Sequence, residues 1–113
     1  MTLTKIVEQL TKPKAMENIL REMNKAFDSR VRIGIMAVLL KQGQVDFKYL
    51  KQLLGTTDGN LASHTAALER KGFIKVDKKF IAKRPNTSYH LTPSGKKAFR
   101  QHINALKKLL EWK

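Results

Sequence analysis

The stretch from Val45 to Gly72, VDFKYLKQLLGTTDGNLASHTAALERKG, constrains this chain more than any other. Phe47, Leu50, Leu53 and Leu54 keep the three-and-four spacing of one short helix facing a core, and Asp46 before it offers a side-chain oxygen to its free N–H groups. Gly55 ends that helix, because glycine enters left-handed backbone without a steric penalty. Thr57 or Asp58 then caps a second helix whose inward face is Leu61, Thr65 and Leu68, and Gly72 closes it. Two short helices joined by so tight a glycine-containing turn form a helix-turn-helix.

Two β-rich runs follow directly, FIKVDKKFIA and TSYHLT, around AKRPN, where Pro85 and Asn86 suit a turn. The expected product is a hairpin with Lys83 and Arg84 at its tip. Upstream, Leu3, Ile6, Val7 and Leu10 keep helical spacing up to Pro13. Met16, Ile19, Leu20, Met23 and Phe27 then mark an amphipathic helix from Ala15 to Phe27. Asp28 or Ser29 caps a further helix to about Leu40, with Val31, Ile35, Met36, Val38 and Leu39 inside. Thr92 caps the last helix, with Pro93 at its first position, where a missing N–H costs nothing. Phe99, Ile103, Leu106 and Leu110 form a narrow seam of the coiled-coil kind along it. No repeat or linker divides the chain, so the expectation is one mainly α domain over residues 1–113 with a small β-hairpin. It comprises a helical extension (1–27), a core (28–92) and a C-terminal helix (93–113).

Charge narrows the partner. The chain holds 23 Lys and Arg against 9 Asp and Glu, a net +14. Residues 1–28 are near balance, with five basic and four acidic side chains, whereas residues 73–91 hold five basic and one acidic. Excess positive charge therefore lies beyond the N-terminal extension, where it attracts phosphate polyanions. A solvated basic surface would also account for it. An acidic membrane fits poorly, because no helix pairs a strong basic face with an apolar insertion face. Without cysteine there is no thiolate zinc site or thiol nucleophile. His64, His90 and His102 fall on three different elements, which disfavours a metal site, and no catalytic Ser/His/Asp set or glycine-rich phosphate loop can be assembled. No cofactor is expected. The longest apolar run, IGIMAVLL, is far shorter than the ~20 residues of a membrane span, and MTLTKIVEQL carries no secretory pattern. A soluble, cytoplasmic protein is expected.

The segments DSRVRIGI, TDGNLASH, LERKGFI and YHLTPSGKKAF, in that order, resemble the winged-helix transcriptional regulators related to the MarR and ArsR types. The similarity spans about residues 24–99. It implies a homodimer that reads double-stranded DNA with paired recognition helices and flanking wings, most often as a repressor. It also allows a small-molecule effector, although no residue pattern marks a pocket.

Stepping 100° per residue from Leu61 places Ser63 and Arg70 on the outer face of the recognition helix, with Gly59, Ala66 and Ala67 beside them and Asn60 on the flank. Small side chains there permit close approach within a major groove about 12 Å wide. Asn60 suits adenine N6/N7, and Ser63 or Thr57 a base edge or a phosphate. Arg70 sits late on the helix, at phosphate distance. His64 suits helix packing or a phosphate. Of Arg30 and Arg32, one is expected at a phosphate and the other in a structural role; Lys48 is a further phosphate candidate. By resemblance, Lys83, Arg84 and the neighbouring Asn86 belong to a wing on the minor groove, where cations meet a strong negative potential. No stacking aromatic stands out on the hairpin. The dimer interface is expected on Met16, Ile19, Leu20 and Met23 and on Phe99, Ile103, Leu106 and Leu110. Two other readings share this fold and charge: a sequence-neutral DNA-coating protein, and a winged helix that docks an acidic protein.

Overall fold

Four side-chain caps place the helices in the computed structural model, which describes residues 13–112. Ser29 Oγ accepts from the N–H of Arg32 at 3.4 Å and Asp46 Oδ1 from Tyr49 at 2.8 Å. Thr57 Oγ1 accepts from Asn60 at 3.1 Å and Thr92 Oγ1 from Gly95 at 2.9 Å. Each satisfies an N–H group that a helix start leaves without an internal partner. The elements are α1 (Pro13–Glu22), a 3-10 turn (Lys25–Phe27), α2 (Arg30–Gln42), β1 (Val45–Asp46), α3 (Phe47–Leu54) and α4 (Asp58–Arg70). They continue with β2 (Ile74–Ile81), β3 (Arg84–Leu91) and α5 (Pro93–Glu111). The segment read from Leu3, Ile6, Val7 and Leu10 lies outside the described residues. No helix described is long and apolar enough to cross a membrane.

The strands form one antiparallel sheet in the order β1-β3-β2, with Val45 opposite Tyr89 and Ile74 opposite Leu91. The two-residue strand β1, absent from the sequence reading, is held beside β3, where Gln44 Nε2 donates to Ser88 Oγ at 2.7 Å. Phe27, Ile35, Met36, Leu39, Leu50, Leu61, Leu68 and Ile74 are fully buried between the helices and the sheet. The Phe27 ring stacks on Phe73 at 5.5 Å and meets Phe99 edge-on at 5.4 Å, so one aromatic cluster joins the 3-10 turn, the strand entry and α5.

Several expectations are corrected. The helix from Ala15 to Phe27 stops at Glu22, because Asn24 turns the chain. Its side chain accepts from the N–H of Ala26 at 2.9 Å while its own N–H donates to His102 Nδ1 at 3.0 Å. Val31 and Val38 are half-buried, and Leu53 is exposed, since α3 has the core on one side only. The hairpin turn is Ala82-Lys83, both at positive φ (51° and 66°), so Pro85 and Asn86 lie inside β3 and pair with Phe80 and Lys79. Phe99, expected at an interface, is buried in the chain's own core with His102 and Ala105. Ile103 and Leu106 are half-buried, and only Leu110 of the expected seam is fully exposed.

Two stability effects follow. Left-handed backbone costs an ordinary residue roughly 1 kcal/mol. Ala82→Asn with Lys83→Gly supplies residues that favour this two-residue turn. The pair is expected to stabilise the hairpin by about 1 kcal/mol, seen as slower amide exchange across β2 and β3. Buried His102, in edge contact with Phe27 at 5.2 Å, is held neutral: burial lowers its pKa, and Asp28 opposes this more weakly. Its contribution is complete above the unfolded-state value near 6.5, and falls away as pH drops, because the unfolded chain takes up the proton first. The urea midpoint should therefore fall between pH 7.5 and pH 5, by less in His102→Asn, whose amide oxygen replaces Nδ1 as a non-titrating acceptor.

Candidate nucleic-acid interface

Three elements place one exposed surface around α4. The glycine Gly55, at φ 61°, swings the chain from α3 into Thr57, the N-cap of α4. Leu61, Thr65 and Leu68 anchor α4 to the core, with Thr65 Oγ1 returning a hydrogen bond to Leu61 O at 3.0 Å. The opposite side is left to solvent: Gly59, Asn60, Ser63 and Arg70 are exposed, and Ala67 is half-buried. A Cβ on residue 59 would meet nothing within 4 Å, so the chain's own packing does not require a glycine there. Such a position leaves room for another backbone to come close. Asp58 is the one acid in the first turn, and Lys51 Nζ at 2.8 Å partly neutralises it.

Arg30, Thr57 and Asn60 line one shallow depression with Leu54 and Gly55, although 26 residues lie between Arg30 and Thr57. The two arginines that open α2 divide their roles. Arg30 is exposed. Arg32 turns inward, its Nε donating to His64 Nδ1 at 3.0 Å and its Nη1 to the carbonyl of Ala26 at 3.4 Å. Because Arg32 is always a donor, His64 must accept at Nδ1 and carry its hydrogen on Nε2. Burial, then the Arg32 charge, lowers the His64 pKa. His64 is therefore a neutral imidazole on α4, its Nδ1 held by a cation from α2 and its N–H on Nε2.

The hairpin supplies the positive field. Lys75, Lys78, Lys79, Lys83 and Arg84 are exposed, and the acid among them, Asp77, lies 3.8 Å from Lys79 Nζ. Lys48, at the start of α3, shares a hollow with Pro85, Asn86 and Thr87, so the outer half of β3 and the start of α3 form one surface. Val76, Lys78, Thr87 and Tyr89 face Ala62, Ala66 and Glu69 of α4 across an open cleft. His64, His90 and His102 lie on α4, β3 and α5, and no three His, Asp or Glu side chains gather among the described residues. One feature escaped sequence reading: Phe80, near the hairpin tip, is 75% exposed. Period-two alternation from Val76 puts Phe80 on the same face, and only its place past the body of the protein leaves it uncovered.

A capped helix pair with its second helix bare on one side, a three-stranded sheet and a basic hairpin beside it define a winged helix-turn-helix. The chain belongs to the winged helix DNA-binding domain family, which it matches over residues 31–110. An uncharacterized protein of Methanocaldococcus jannaschii is 40% identical over 79 residues, covering 70% of this chain and 86% of that protein. Among solved structures, the transcriptional regulator homologue from Pyrococcus horikoshii is similar with TM-score 0.76 and 31% identity, over 88% of this chain and 96% of that one. The ytfH protein of Salmonella typhimurium is similar with TM-score 0.64 and 28% identity, over 77% and 76%. The expectation of a winged-helix DNA-binding transcriptional regulator stands.

Proposed function

We propose that the chain is a dimeric, sequence-specific regulator of transcription that lays α4 in the major groove and the wing along the minor groove. The observation that carries this reading is the face of α4. It is small and polar at Gly59, Asn60 and Ser63, and exposed cations from four separate elements surround it: Arg30, Lys48, Arg70, and Lys83 with Arg84. Side chains of that size admit bases closely, while phosphate-binding cations around them fix register without carrying sequence. Asn60 and Ser63 read base edges, Thr57 donates at the helix entry and His64 from mid-helix, and Arg30, Lys48 and Arg70 hold phosphates. Arg32 orients His64 and does not itself neutralise a phosphate.

Dimerisation runs through α1 and α5, which pack together in the protomer, with Lys108 Nζ on Glu22 at 3.0 Å. Leu20, Leu110 and Trp112 remain exposed there, and Met16, Ile19, Met23, Ile103 and Leu106 are half-buried beside them. A second copy would cover this apolar surface and set two α4 helices about one turn of duplex apart. We assign repression, since a protein seated on promoter DNA excludes other proteins from it, and we place the protein in the cytoplasm with that DNA.

Fluorescence anisotropy on a duplex across a salt series tests this assignment. Log affinity should fall steeply with log salt, and the Lys83→Ala, Arg84→Ala double variant should lower the slope by roughly 2, one for each phosphate left without its cation. Arg32→Ala should leave the slope unchanged. Absence of duplex binding at low salt would refute the assignment.

A further inference from the structure

The wing tip carries more than charge. Phe80 and Ile81 expose 75% and 52% of their surface, against 40% for Tyr49 and 39% for Trp112. Along β2, Val76, Lys78 and Phe80 share one face, and their partners on β3 are Tyr89, Thr87 and Pro85. Nearer the body this face looks across the cleft at Ala62 and Ala66 of α4. Phe80 and Pro85 continue the same face outward as an apolar pair, with the ring left to solvent among the described residues. Lys78, Lys79, Lys83 and Arg84 surround them, and no acid occurs between residues 78 and 84. The turn beyond, Ala82-Lys83, spans only two residues. The tip is therefore a narrow, stiff, doubly connected finger.

An exposed phenyl ring ringed by cations fits a surface that is strongly negative outside and flat and apolar within. Stacked base pairs between two phosphate backbones are such a surface, and hydrophobic wedges are a known way to open a base step from the minor groove. Resting on the DNA-binding reading above, we propose that the wing tip is a DNA wedge. Phe80, supported by Pro85, enters the minor groove, partly unstacks one base step and kinks the duplex. Lys79, Lys83 and Arg84 hold the phosphates on either side. A duplex seated against α4 reaches this face of the wing, because Phe80 continues outward the strand face on which Val76 and Lys78 border the cleft with α4. The wedge adds selectivity where α4 makes no contact: flexible pyrimidine–purine steps such as TA unstack more readily than GC steps, and are favoured at a fixed distance from the half-site.

The test uses the full chain and duplexes of about 30 base pairs with a donor and an acceptor dye at the ends, a length over which a kink of 20–90° changes the end-to-end distance measurably. Each carries a central TA or GC step, and a second set carries 2-aminopurine at the step. Anisotropy first establishes binding. Phe80→Ser is the variant: the ring is exposed, so the fold is retained, which its melting temperature checks. On the TA duplex, wild-type protein should raise energy transfer and brighten 2-aminopurine, and should prefer TA over GC by roughly tenfold. Phe80→Ser should still bind duplex while losing the bend, the brightening and the TA preference.

Binding by wild-type protein with no bend, or an equal bend with Phe80→Ser, would overturn the wedge and leave the DNA reading intact. No binding to any duplex would overturn both. Sedimentation showing that Phe80→Ser breaks self-association, loss of binding to anionic vesicles in that variant, or a Phe80-dependent preference for single-stranded RNA would each assign the ring to another surface and overturn the wedge.

Discussion

Ser63→Glu is expected to abolish specific DNA binding while the protein stays folded. Ser63 is exposed on the bare side of α4, two residues beyond the buried Leu61 and in the middle of the face assigned to the major groove. A carboxylate there points at phosphates, and like charges brought together across an interface cost several kcal/mol, so affinity should drop by roughly 100-fold or more. The melting temperature should hardly move, because exposed substitutions in helices usually stay within about 0.5 kcal/mol. Anisotropy with the preferred duplex, beside a thermal melt, checks both halves. Operator affinity equal to the wild type would mean that a different face of α4 meets DNA.

Gly95→Ala should have the opposite signature, a large loss of stability. Gly95 lies buried in the first turn of α5, where an added Cβ would stand 2.0 Å from the backbone oxygen of Phe73. That oxygen already accepts from the N–H of Thr92 at 3.0 Å, and Thr92 Oγ1 both donates to Gly72 O at 2.6 Å and caps Gly95. Backbone cannot swing aside as a flexible side chain would. The helix must move off Phe73, which opens the Phe27–Phe73–Phe99 cluster and loosens the cap. A loss of about 3 kcal/mol or more is expected, a large share of the 5–15 kcal/mol that usually holds a domain together. Urea unfolding measures it. At Gly34 the obstacle is Leu54 Cδ2 at 2.8 Å, the end of a movable side chain, so Gly34→Ala should cost far less.

The same contrast explains how much was readable in the sequence. Caps are local: an oxygen-bearing side chain at a helix boundary needs only the next three residues, so Asp46 and Thr92 were legible, and Ser29 and Thr57 were each one of two adjacent candidates. Helical period likewise placed Leu61, Thr65 and Leu68 inward and left Ser63 and Arg70 outward. What failed depended on distant partners. The helix through Phe27 breaks because Asn24 finds His102, 78 residues later. Which arginine of α2 turns inward was decided by His64, 32 residues on. Phe99 fits a coiled-coil seam by spacing alone, yet Phe27 draws it inside. The hairpin turn was misplaced for another reason: Pro85 and Asn86 advertise a turn, whereas Ala82 and Lys83 adopt left-handed backbone without the residues that favour it. Gly95 carried no signal, since the carbonyl it must clear belongs to a different element.

Selection from a random duplex library with purified protein at ~150 mM salt tests the central claim most directly, because that salt suppresses weak, sequence-blind attraction to phosphates. A dimer reading sequence through two α4 helices should enrich an inverted repeat with half-sites about one helical turn, ~34 Å, apart. Tight binding at low salt with no enriched sequence at ~150 mM would contradict it, and would make the chain a DNA-coating protein that uses the same wing and charge.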